Sequence, residues 1–246
     1  MEPMIVLEKE INDINLQKLF RFGSRAAYLI AILLIGEIFV YAFIPDRDSP
    51  TEIFNLFRKN ALAGLLIFDL LGMISYLLFI PFIFSLYMIL KQSNKLLMIW
   101  GTILFFIGIG VFFANNTGFS VLSLSRQYEI ATTMEDKYML IAACKTMMTL
   151  FDVNAFLVSY VLVSASWTMI SYVMLKSKIF NKYAAFAGLF AGLSGVIAEI
   201  IENTLSQFLV IAISLYFLAI VALIIWVILS GRQLYQMGLH YINGIN

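Results

Sequence analysis

Glu37, Asp69, Asp152, Glu199 and Glu202 are carboxylic acids set inside long apolar runs or at their ends, and Lys145 precedes Asp152 by seven residues in the stretch AACKTMMTLFD at 142–152. A charge left unpaired in hydrocarbon is expensive, so these side chains must face protein or water rather than lipid. Carboxylates held away from bulk water can bind a hard cation, relay protons or act as general acid and base. On one helix, seven residues put Lys145 and Asp152 on nearly the same face but about 10 Å apart along the axis, too far for a direct ion pair. Helical side chains also lean toward the N-terminus, which turns Lys145 away from Asp152. Each therefore needs a different partner.

Other chemistry is sparse. The single histidine, His240, lies in the C-terminal tail, so no histidine-based general base, haem-ligating pair or zinc site can be assembled from recognisable ligands of one chain. Neither a GxxxxGK phosphate loop nor a G-x-S-x-G elbow is present. One cysteine, Cys144, cannot close an internal disulfide. A net charge of +1 leaves no basic stripe for a nucleic acid. These residues name no metal and no cofactor.

The elements that must position the acids are set by composition. With 62% hydrophobic and 13% charged residues, a chain of 246 residues cannot cover a soluble globule with polar surface. Its apolar runs are about 20 residues long, the length of a spanning helix and not of a barrel strand. Six spans are expected: about Arg25 to Ile44, Ala61 to Leu90, Leu96 to Ala114, Leu150 to Leu175, Ala184 to Asn203 and Phe208 to Ser230. The fold class is thus an all-α integral membrane bundle of six transmembrane helices. Residues 1–24 form a polar, mildly amphipathic N-terminal segment with Leu7, Ile11, Ile14 and Phe20 as its apolar positions, cytoplasmic or interfacial and too weakly apolar for a cleavable signal. Residues 25–231 form the transmembrane domain, and 232–246 a cytoplasmic tail.

Lysine and arginine set the orientation. With both termini cytoplasmic in a cell membrane, the inside holds ten of them and the outside six, Arg47 among the latter. Every intramembrane acid then falls in the outer half. The connection of about 115–149 adds Asn115, Asn116, Arg126, Tyr128, Glu129, Glu135, Asp136 and Lys137 on the same side and is expected to fold as a partly helical cap. The sharp expectation is that Glu37, Asp69, Asp152 and Glu199 converge on an outward-facing polar cavity, with Lys145 or Arg126 as counter-charge. Against it stands a plainer one, in which Glu199 and Glu202 snorkel or cap a neighbouring helix and Lys145 rides on an interfacial helix.

Small residues at four-residue spacing in AAFAGLFAGLSG (184–195) predict close helix packing through Gly188 and Gly192. Pro81 predicts a kink in the second span. The uncharged sixth span reads as a passive wall against lipid. Three function classes stay open. One is a protein that binds or transports a lipid-like or small amphiphilic molecule, with Asp152, Asp69 and Glu37 on its polar head and aromatic, Met-rich walls on its apolar part. The others are a carboxylate-dependent membrane enzyme and an accessory or structural subunit. Besides the lipid bilayer no partner is named, and oligomerisation is left open. Three spans, a cap and three more is the count of an inverted repeat, although the halves are not convincingly alike.

The stretches LSLSRQYEIA (122–131) and YMLIAA (138–143), the span ending SYVMLKSKIFNKYAAFAGLFAGLSG, and the close WVILSGRQLY with Trp226 and Gly231 resemble the uncharacterised prokaryotic six-span membrane family catalogued as domain of unknown function 4386. The resemblance runs from about Arg21 to Arg232. It departs after the Lys-Ser-Lys turn, where IFNKY stands in place of the usual proline and aromatic. It implies an architecture and a location without a mechanism, and it draws Arg126, Gln127 and Tyr128 into the candidate ligand-binding set with Glu37, Asp69, Lys145, Asp152 and Glu199.

Overall fold

A computed structural model describes residues 14–43 and 49–239, and within them every regular element is helical. Leu7, Ile11, Arg47 and His240 lie outside the described residues. In chain order the elements are α1 (Ile14–Phe43), α2 (Pro50–Lys59), α3 (Ala61–Ile67), α4 (Leu70–Leu90), α5 (Lys95–Asn115), α6 (Gly118–Ile130), α7 (Met134–Leu150), a π-helical segment (Phe151–Val158), α8 (Ser159–Ser177), α9 (Lys182–Thr204), a 3-10 turn (Ser206–Phe208) and α10 (Leu209–Leu239). Six stretches are long and apolar enough to cross a membrane. They are α1, α4, α5 running on into α6, α7 through α8, α9 and α10.

Polar side chains punctuate the apolar runs. Asn94 caps α5 by accepting from Leu97 N at 3.0 Å, and Asn181 caps α9 by accepting from Tyr183 N at 2.9 Å. Lys178, with φ of 57°, takes the left-handed conformation that stops α8. These turns carry Lys91, Lys95, Lys176, Lys178 and Lys182, and with the start of α1 and the finish of α10 they form a basic end. Among the described residues all the acids lie in the opposite half, the cap end.

The spans close into a ring in chain order. α1 packs on α4 and on α10, α10 on α9, α9 on α8, and α8 on α5, with α4 and α5 completing the circuit through a thinner contact. Aromatic side chains fill the middle of the ring: Phe82 meets Trp226 with ring centroids 5.3 Å apart, and Phe79 meets Trp167 at 5.7 Å. The tryptophans divide accordingly. Trp167 and Trp226 are buried in this core, while Trp100 stays exposed. At the basic end Arg21 Nε donates to the Gly238 carbonyl at 2.8 Å, a cation on the last turn of α10. α1 runs unbroken from Ile14 past Arg25, and α10 passes Arg232 without a break.

Packing of α8 on α9 follows the small-residue stripe. A Cβ on Gly188 would strike Ser171 Oγ and the Trp226 indole, and one on Gly195 would lie 2.8 Å from Ser164 Oγ. The two backbones approach this closely because neither carries bulk there. Helix α4 continues through Pro81, whose carbonyl accepts from Ser85 Oγ at 2.7 Å; the same hydroxyl reaches the Leu19 carbonyl of α1 at 3.1 Å. The proline withholds a donor from the Leu77 carbonyl one turn back, and the Ser85 hydroxyl one turn on ties α4 to a neighbouring span.

Two expectations need correction. The run Ala61 to Leu90 is not one helix: it breaks at Phe68–Asp69, because Asp69 takes φ 59°, ψ 45° and restarts the chain as α4. The cap, expected from the 115–149 connection alone, also takes in α2, where PTEIFNLFRK buries Ile53, Phe54 and Phe57 on one face. That spacing, i, i+1 and i+4, is a single helical stripe. With Phe68, Val121, Cys144 and Phe151 these residues make a second apolar core beneath the cap.

Candidate functional site

Backbone irregularity surrounds the cap end of the bundle. At the α3–α4 break the Asp69 carboxylate accepts from Gly72 N at 3.1 Å, acting as N-cap from a left-handed position that tolerates Asp or Asn far better than Ala. Asn116 supports the other side of the break: its Nδ2 donates to the Phe68 carbonyl at 2.8 Å while its Oδ1 accepts from Gly118 N at 3.1 Å. Next to it Thr117 Oγ1 donates to the Met147 carbonyl at 2.9 Å, just before the π-helical turns. Loose turns of this kind are held where the surroundings specify them, and they occur often at functional sites. Asp69→Asn is expected to change thermal stability by less than about 0.5 kcal/mol, and Asp69→Ala to lower it by about 1–2 kcal/mol. Melting followed by size-exclusion chromatography of the heated protein separates the two.

Inside the ring, at the level of these breaks, polar side chains from five spans meet. Glu37 on α1 accepts from Ser75 Oγ of α4 at 3.2 Å and lies within electrostatic reach of Asp69. Tyr76, one residue on, lies near Asp69, Glu37 and Tyr160 and approaches the buried Ser159 hydroxyl. Tyr160 on α8 is near both Glu37 and Glu199. Its ring sits 6.0 Å from Tyr216 of α10, 6.1 Å from Trp167 and 6.4 Å from Phe156. Glu199 on α9 is 3% exposed, and its Oε2 accepts from Asn203 Nδ2 at 3.3 Å. Glu199 Oε1 is buried with no hydrogen-bond partner among the described residues. Tyr216 faces it, as it faces the exposed Glu202, without closing a well-formed bond.

Three of the expected residues are therefore interior. Glu37, Asp69 and Glu199 surround Tyr76 and Tyr160, which are enclosed by helices yet keep some accessible surface. Asp152 and Lys145 are exposed on the α7 and π-helical face, and Arg126 and Gln127 are exposed on α6. Tyr128 belongs to the cap. Its ring lies 5.0 Å from Phe54 and under Lys137 Nζ at 5.7 Å, in a groove of about 160 Å³ that Asn55, Arg58, Ser125 and Glu129 also line. The expected set thus divides between an interior cluster and the cap surface.

Sequence reasoning missed the residues that join the acids: Ser75, Tyr76, Ser159, Tyr160, Asn203 and Tyr216. A signal existed for the tyrosines. Tyrosine in a membrane helix sits by preference at the interface, where its hydroxyl meets water, so one well inside an apolar run asks for a polar neighbour. Tyr76, Tyr160 and Tyr216 are all such positions in the cap half. Tyr216 also corrects the passive reading of the sixth span, because α10 brings it into the cluster.

The described residues contain no group of three His, Cys, Asp or Glu side chains close enough to hold a metal ion. Tyrosine rings and hydroxyls lie near the acids, so the arrangement offers carboxyl groups beside aromatic side chains. Over residues 26–231 the chain matches the family described as Domain of unknown function (DUF4386). No curated protein and no solved structure matches it.

Proposed function

This chain belongs to the DUF4386 family, a multi-pass membrane protein with six apolar helices, and from that premise we propose that it binds a small amphiphilic or lipid-like molecule in the interior cluster, as a receptor or the outward state of a transporter. The observation that carries the reading is the Glu199 carboxylate, 3% exposed, with Oε1 unpartnered among the described residues and Tyr216 close to the carboxylate. An ionisable group held this way inside a membrane domain stays costly until something meets it. Tyr160 lies near Glu199, and its ring adjoins that of Phe156, an aromatic surface for an apolar body.

Access from the cap end is part of the proposal. Tyr216 touches the neighbourhood of both the buried Glu199 and the exposed Glu202, so polar groups continue from the cluster to the corner between α9 and α10. Toward the basic end the ring is packed with Phe79, Phe82, Phe105, Trp167 and Trp226, all buried. We place the cap outside the cell and the basic end in the cytoplasm, following the excess of lysine and arginine in the short turns at 91–95 and 176–182.

Native mass spectrometry of gently solubilised protein tests the binding. Wild type is expected to retain a stoichiometric non-protein mass, and Glu199→Gln to lose it while keeping its elution volume. Wild type free of any added mass, isolated instead with a partner polypeptide in fixed ratio, would replace this reading with that of an accessory subunit.

A further inference from the structure

Resting on the site just proposed, we infer that its ligand is an organic cation, an ammonium or comparable centre carried on an apolar body, held between Glu199 and the Glu37–Asp69 side with tyrosine rings around its charge. Electrostatics inside the ring is the first ground. Around Glu37 the interacting groups are Asp69 and Ser75, and around Glu199 they are Tyr216, Glu202 and Asn203, so no described lysine or arginine meets either carboxylate. The described cations of the basic end lie beyond the packed aromatic core; of those of the cap, Arg126 and Lys145 are exposed and Lys137 lies over the Tyr128 ring. Glu37 and Glu199, held in a low dielectric with no described cation against them, favour a positive guest over an anionic one.

Spacing selects the kind of cation. A bare metal ion needs several oxygens converging at ligand distance, and no such group of three acids, histidines or cysteines exists among the described residues. The groups close to these carboxylates are aromatic: Tyr76 stands near Glu37 and Asp69, and Tyr160 stands near Glu37 and Glu199. Tyr216 closes the side toward Glu199, with its ring 6.0 Å from that of Tyr160. Ring faces attract a diffuse organic cation, and desolvation strengthens the attraction. Glu199 Oε1, buried and unpartnered, is the acceptor left over for an N–H donor or for the positive rim of a quaternary centre.

Equilibrium dialysis of the full-length protein in detergent micelles, corrected for protein-free micelles, tests the charge requirement. The probe is phenyltrimethylammonium, and the control is tert-butylbenzene, the same shape with carbon in place of the charged nitrogen. Expected is saturable binding of the cation at least tenfold tighter than of the neutral compound, lost at least tenfold in Glu199→Gln and largely kept in Glu199→Asp. Tyr160→Leu removes a ring and no charge, so about a fivefold weakening is expected there, and it covers the case in which Glu199→Gln does not fold. The exposed cap variant Glu135→Gln should bind as wild type does. Saturable binding of both compounds with equal affinity, insensitive to Glu199→Gln, overturns the cation and leaves the amphiphile site standing. Absence of saturable binding of either compound by monodisperse wild type overturns both.

Discussion

Gly192→Leu is expected to leave almost no monodisperse protein, whereas Gly110→Leu should behave as wild type. At Gly192 even the first added carbon would collide with Thr168 Oγ1 and lie 2.6 Å from the Ser164 carbonyl oxygen and 2.9 Å from Thr168 N. Two of those three atoms are backbone of α8, so no change of rotamer clears the space, and α9 must lift off its neighbour. Overpacking in well-filled cores commonly costs about 1–3 kcal/mol, and this site belongs at or above the upper end because a helix and not a side chain has to move. In a membrane the loss is not recovered by hydrophobic collapse, since lipid tails are as apolar as leucine and close packing itself drives helix association. Gly110 faces open space on α5, with nothing within 4 Å of an added Cβ. Detergent-solubilised yield and the elution profile of both variants provide the measurement. A monodisperse, heat-resistant Gly192→Leu protein would refute the α8–α9 contact described above.

Trp226→Ala should give the second large loss, about 3 kcal/mol, at the lower end of the range for removing a buried tryptophan. Trp226 is fully buried and joins three spans: its ring lies 5.3 Å from Phe82 of α4 and 6.4 Å from Trp167 of α8, and its Nε1 donates to the Met174 sulfur at 3.3 Å. The lower end is the expectation because the reference state is a helix already in lipid, where transfer of apolar area counts for little and lost dispersion contacts count for most. Trp226→Phe keeps a ring but surrenders the bond to Met174, so a loss of about 1 kcal/mol is expected. Denaturant titration in mixed micelles, read by the remaining tryptophan fluorescence, ranks the three proteins. Equal midpoints for Ala and Phe would mean that the core is not organised around this residue.

Much of the architecture was legible in the residues. Length and hydropathy give the six spans, alternation of chain direction puts Glu37, Asp69, Asp152 and Glu199 in one half, and four-residue spacing of small side chains marks the α8–α9 contact. The Asp69 break was harder to see, because Asp69 is the one charged residue from Ala61 to Leu90 and nothing beside it forbids a continuous helix at that point. The break is supported by Asn116, which sits 48 residues away in the chain and donates to the Phe68 carbonyl. The apolar stripe of PTEIFNLFRK is compatible with a helix, but a short amphipathic segment next to long spans has a weak signal of its own.

What the sequence determined by itself is the class of the protein, the number of its spans and the half in which its acids lie. Those depend on composition and run length, quantities that the bilayer reads one residue at a time. Only the tertiary structure decided which acids share an interior. Facing depends on helix phase, and the π-helical segment Phe151–Val158 alters that phase at Asp152, so spacing counted at the α-helical period cannot place it. Glu37 and Glu199 come together through Tyr76, Tyr160 and Tyr216 because ring closure brings α1, α4, α8, α9 and α10 around one axis. That closure is a sum of helix contacts far apart in the chain, and no local pattern of residues encodes it.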